Sequence, residues 1–152
     1  MAAVGSAAAL TGLIFVGVSI NITKILSFAK LPDRALLSII LLLNILIVSS
    51  LMLIPGQSYS VLGAEVLAIE VCVYVFITKM DIGIHKNTSD EYKTQYATSM
   101  IFNQVSLLPY VGAGVAILIC REGGIYWLVP GILSSFIKAV ADAWVLLVEI
   151  NR

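Results

Sequence analysis

Histidine is nearly missing from this chain of 152 residues, which holds one, His85, and only two cysteines, Cys72 and Cys120. A lone imidazole with no second ligand at metal spacing makes no metal constellation and reads as a solvated loop residue. The two cysteines are expected at different depths, about 18 Å apart by helical rise, which excludes a disulfide between them. Charge is scarce as well: Asp, Glu, Lys and Arg make up 12% of the residues and cancel to a formal net charge of zero. No basic face therefore invites nucleic acid, and no acidic tail invites a basic partner. HExxH, GxSxG and a phosphate-cradling glycine loop are all missing, as is any nucleophile with an evident base. The chain is not read as an enzyme, and no cofactor or metal is expected.

What is abundant is apolar surface. Hydrophobic residues make up 60% of the sequence, more than one soluble core of this size can cover, so the chain reads as an all-α polytopic membrane protein. Apolar runs of about 20 residues fall at 2–22, 35–54, 60–79, 96–119 and 126–148, each long enough to cross a bilayer at about 1.5 Å per residue. These five spans make a single transmembrane domain over 1–152 with no soluble domain. Between them lie KLPDR (30–34), PGQSYS (55–60), the polar MDIGIHKNTSDEYKTQ (80–95) and CREGG (120–124). Thr88 and Glu91 have capping-box spacing and predict a helix start near residue 88. Tyr59, Tyr126 and Trp127 lie where interfacial anchors are expected.

Positive charge gathers at alternate connections. Lys24, Lys30 and Arg34 flank the first and Lys79, Lys86 and Lys93 the third, whereas the second has none and the fourth only Arg121. Retention of Lys and Arg on the cytoplasmic side then places the N-terminus outside and Arg152 inside, in a cytoplasmic (inner) membrane. The first segment lacks the basic n-region of a signal peptide. It is instead dense in small residues, and Gly5 with Ala9, and Ala8 with Gly12, have the spacing of a close helix-packing seam, within or between subunits.

The remaining polar residues fall at a shared level. Counting about 1.5 Å per residue from each outer end puts Lys138, Glu70 and Asn44 at roughly 15–18 Å, with Asp142, Asn103 and Gln104 at roughly 23–24 Å. An isolated charge at the bilayer centre costs at least about 2.5–3.5 kcal/mol, so pairing is expected. Lys138 and Asp142 are one turn apart, and Glu70 reaches them if the third and fifth spans touch. Such a seam either fixes helix register or lines a pathway for an ion or proton. Pro109, followed by Gly112 and Gly114, is a candidate bend beside it.

The stretches LTGLIFVGVSINITKIL (10–26), LPDRALLSIILLLNILIVSSLMLIPGQ (31–57) and GAE (63–65) resemble small, largely uncharacterised bacterial integral-membrane proteins with GLxFVxxSIN, LPxRA and PGQ motifs. That resemblance covers about the first 65 residues. It implies a compact helical bundle without a stated reaction, with Ser19, Asn21, Arg34 and Gln57 as matching polar positions. Two functions are open: an oligomeric, channel-like ion or proton conductor, or a non-conducting accessory or regulatory subunit that binds a membrane-protein partner through its helices.

Overall fold

A computed structural model describes residues 1–27, 31–86 and 93–150. The architecture is all-α. The helices are α1 (Ala2–Ile20), the short α2 (Ile22–Ser27), α3 (Leu31–Leu51), α4 (Tyr59–Lys86), α5 (Lys93–Cys120) and α6 (Leu128–Ile150), with a 3₁₀ segment at Arg121–Trp127 joining the last two. Thr88 and Glu91 lie outside the described residues.

Four helical stretches are long and apolar enough to cross a bilayer. The longest, Ala97–Leu146, folds back on itself. Tyr110 of α5 packs on Gly131 of α6, Gly112 lies beside Trp127, and Ser99 meets Lys138, so the two helices run antiparallel and make two passes. The outward surface suits lipid: Leu13, Phe15, Ile101, Ile119, Ile137 and Trp144 are all more than 60% exposed. This is a helical membrane protein.

α3, α4, α5 and α6 enclose the centre, each against its neighbours, and α1 lies outside them against α3. Lipid tails are as apolar as leucine, so burial alone does not hold helices together here, and close approach of backbones matters more. α4 and α5 meet where Gly63 faces Leu118 and Gly114 faces the backbone of Leu67, with a Cβ at Gly114 coming within 3.0 Å of it. Gly114, expected to loosen α5, is thus a packing residue. α5 continues as α-helix across Pro109 and Gly112.

Several boundaries differ from the sequence expectation. α4 extends to Lys86, so 80–86 is helix where a polar loop was expected, and His85 sits half-buried on its last turn. The reason is periodic: Val66, Glu70, Ile77 and Asp81 are all buried, one face maintained through Lys79 and Met80. α3 starts at Leu31, with Pro32 and Asp33 in its first turn, where a missing N–H and a negative charge both suit a helix N-terminus. CREGG is not an open loop but enters the 3₁₀ segment, with Arg121 at φ 52°. In the turn between α3 and α4, Gly56 adopts φ 74°, a left-handed conformation that favours glycine.

The small-residue seam of α1 is not used inside the chain. α1 rests on the bundle through Ala3, Ala7, Leu10 and Ile14, whereas Gly5, Ala8, Ala9 and Gly12 are exposed on its other side. A half-open apolar cleft of about 160 Å³ remains between α1, α2 and α6, lined by Leu13, Ile14, Val18, Ile25, Ala143 and Leu146.

Candidate functional site

The buried polar residues form two separate nodes. At the first, Asn44 of α3 donates from Nδ2 to Oε1 of Glu70 on α4 at 2.9 Å, with both residues at most 1% exposed. Tyr110 of α5 and Ser135 of α6, each fully covered, complete this level. Tyr110 faces Ser135 and lies within electrostatic range of Glu70, and its ring is seated on Gly131, where a Cβ would come within 3.0 Å.

At the second node, Asp81 of α4 accepts from Asn103 Nδ2 of α5, at 2.9 Å to Oδ1 and 3.2 Å to Oδ2. Gln104 donates to the Thr78 hydroxyl at 3.1 Å. Lys138 of α6 donates to Ser99 Oγ of α5 at 3.2 Å and forms an ion pair with Asp142, one turn along its own helix. Asp81 lies within electrostatic range of both members of that pair. Asp81, Lys138 and Asp142 are only 6–7% exposed.

Helix periodicity explains why there are two levels. Glu70 and Asp81 are eleven residues apart, close to three whole turns, so they share one face of α4 about 16 Å apart along its axis. Asn103 to Tyr110 and Ser135 to Asp142 are seven residues each, about 10 Å. Between the levels lies an apolar layer of Leu41, Ile77, Leu107 and Ala139.

Glu70 was expected to join Lys138 and Asp142, and it does not. Its buried partner is Asn44, because α3 and α4 bring those two side chains to one height, while Lys138 already has Asp142. Asp81, Thr78, Ser99, Tyr110 and Ser135 were absent from the sequence reading. Asp81 was recoverable, since it continues the buried period of α4 from Glu70 and Ile77. The other four are hydroxyls whose weight depends on which helices adjoin, which no periodicity reports.

Among the described residues no three His, Cys, Asp or Glu side chains gather as a metal site. Cys72 and Cys120 are free and exposed. At the end of the bundle that holds the PGQ turn, Gln57 hydrogen-bonds Glu65, and the Tyr59 hydroxyl bonds Glu122 at 3.2 Å, tying that turn to α4 and α4 to the 3₁₀ segment. Asn21 bonds the Gly17 carbonyl of its own helix at 3.1 Å and so satisfies a helix end, and Ser19 is exposed. Comparison with known proteins finds no matching family model, no similar curated protein and no similar solved structure.

Proposed function

We propose that this chain conducts protons or small cations across a membrane by passing charge between carboxylates buried at two depths. The observation that carries the proposal is the pairing of Glu70 and Asp81. They share one face of α4 inside the bundle, and each is hydrogen-bonded by a neutral amide, Asn44 or Asn103, rather than by a cation. A contact that only fixed helix register needs no carboxylate, because a Gln–Asn pair makes the same bond without burying an ionisable group. A carboxylate is the side chain that takes up and releases a charge carrier. In one copy an apolar layer separates the two nodes, so passage between them requires water to enter that layer or a path formed by several copies around an axis.

Purified protein in liposomes should dissipate an imposed proton or sodium gradient. Glu70→Gln should remove most of that flux, and replacing Lys138 in a folded variant should raise cation flux, because its charge opposes cations. Vesicles that stay tight with folded protein refute the proposal.

The proposed membrane is the cytoplasmic one, with the N-terminus outside. In a background lacking Cys72 and Cys120, cysteines introduced at Ser58 and Gly123 should react with an impermeant thiol reagent added to intact cells, and one at Asn87 should not. Labelling at Asn87 overturns this orientation.

A second reading, a non-conducting accessory or regulatory subunit, is favoured by the exposed face of α1. Gly5, Ala8, Ala9 and Gly12 are exposed, and a Cβ added at Gly5 or Gly12 would meet nothing within 4 Å, which leaves room for a partner helix or a second copy. Under it, vesicles stay tight, and enlarging Ala8 or Gly12 changes assembly without unfolding the monomer.

A further inference from the structure

The apolar cleft between α1, α2 and α6 belongs to neither polar node. No polar side chain lines it, and Gly17 of α1 contributes open space: a Cβ placed there would meet nothing within 4 Å. α1 packs along α3 and touches α6 only sparsely, so the gap between α1 and α6 stays unfilled by the chain itself.

Its position along the helices narrows what fills it. Leu13 lies seven residues before the end of α1 at Ile20, about 10 Å of helix, and Ala143 and Leu146 fall in the last third of α6. The cleft is therefore confined to one half of the bundle's height, the half that ends where α1 stops and α2 begins. One leaflet of hydrocarbon is about 15 Å thick. A partner's transmembrane helix runs the full depth of the bilayer, whereas an acyl chain covers one leaflet, from the headgroups to the midplane. Apolar openings of this kind do not hold water, so the surrounding lipid is what enters.

Charge selects the lipid. Lys24 is exposed in the last turn of α2, one residue before Ile25 of the cleft lining. The stretch from Lys24 to Arg34 carries three basic residues against one acid, Asp33. We infer that the cleft is a binding site for one acyl chain of an anionic phospholipid whose phosphate lies against Lys24. The lysine stem follows the apolar rim while its ammonium stays at the headgroup level, where anionic lipid attracts it.

The full chain, solubilised from bilayers of equal phosphatidylglycerol and phosphatidylcholine with matched acyl chains, is analysed for retained lipid by native mass spectrometry. It should retain phosphatidylglycerol several-fold over phosphatidylcholine. Lys24→Gln should remove that preference while leaving a lipid bound. Gly17→Leu, whose side chain enters open space and suits a helix better than glycine, should lower retention of both lipids several-fold. Lys79→Gln and Ala68→Leu, exposed changes on α4, should alter neither quantity.

Phosphatidylcholine held as well as phosphatidylglycerol overturns the site. So does a preference that persists in Lys24→Gln, the exposed variant that decides if Gly17→Leu does not fold, or a lipid load undiminished in folded Gly17→Leu. A chain that carries no lipid but forms a dimer that Gly17→Leu dissociates also overturns it, and assigns the cleft to a second copy. The site stands apart from the two nodes, and flux through them decides nothing about it.

Discussion

Replacing Lys138 by leucine is expected to destabilise the protein by about 3–5 kcal/mol, the usual cost of breaking a buried ion pair from one side. Asp142 is 6% exposed and has Lys138 as its ion-pair partner. The substitution strands its charge in a low-dielectric bundle, and it also removes the donor to Ser99. Changing both members, Lys138→Leu with Asp142→Leu, should recover most of the loss, because apolar residues replace buried ion pairs with little net cost. Adding Glu70→Gln to Lys138→Leu should recover nothing, since Glu70 belongs to the other node. Equilibrium unfolding in mixed micelles measures the unsubstituted protein, the single variants Lys138→Leu and Asp142→Leu, and the two double variants. A loss in the Lys138/Asp142 double variant equal to the sum of the two singles would show that the pair is not coupled.

The second large effect is steric. A Cβ at Gly124 would lie 2.2 Å from the Ile117 amide nitrogen and 2.4 Å from the Ala116 carbonyl carbon. Backbone atoms cannot rotate aside as the tip of a side chain can. Gly124→Ala must therefore push the 3₁₀ segment off α5, and it is expected to cost at least about 3 kcal/mol, the upper end of overpacking effects. Its neighbour is the control: a Cβ at Gly123 meets nothing closer than Cys120 at 3.8 Å, so Gly123→Ala should be close to neutral. Thermal unfolding of the two variants side by side tests this, and equal effects would mean that α5 and the 3₁₀ segment are not so closely apposed.

How much of this was legible in the sequence depends on the length scale of the signal. Hydropathy over 20 residues reports a span whichever neighbours it has, so the five passes and their all-α class were readable. Lys138 with Asp142 was readable too, because one-turn spacing is a property of a single helix. The partner of Glu70 was not, since depth alone leaves every residue at that height eligible, and only the adjacency of α3 and α4 selects Asn44. Asp81 was hidden by composition: it lies in a stretch whose polar average suggests a loop, although the period of α4 carries it inward. Glycines divide in the same way. Those of α1 read as packing residues and face away from the rest of the chain, whereas Gly114 read as a hinge and is a contact point.

Biosynthesis gives the order of the nodes a further meaning. A chain entering the membrane from its N-terminal end presents Asn44 before Glu70, 26 residues later, so the carboxylate arrives with its hydrogen-bond donor already synthesised. Asp142 likewise follows Lys138 within one turn. Asp81 has no such provision, because its amide, Asn103, lies 22 residues downstream on the next helix. During insertion Asp81 must wait near the water boundary until α5 follows it. The α4–α5 hairpin is therefore the unit that must enter together, and an arrest of synthesis between the two helices is the point at which insertion of this protein is least secure.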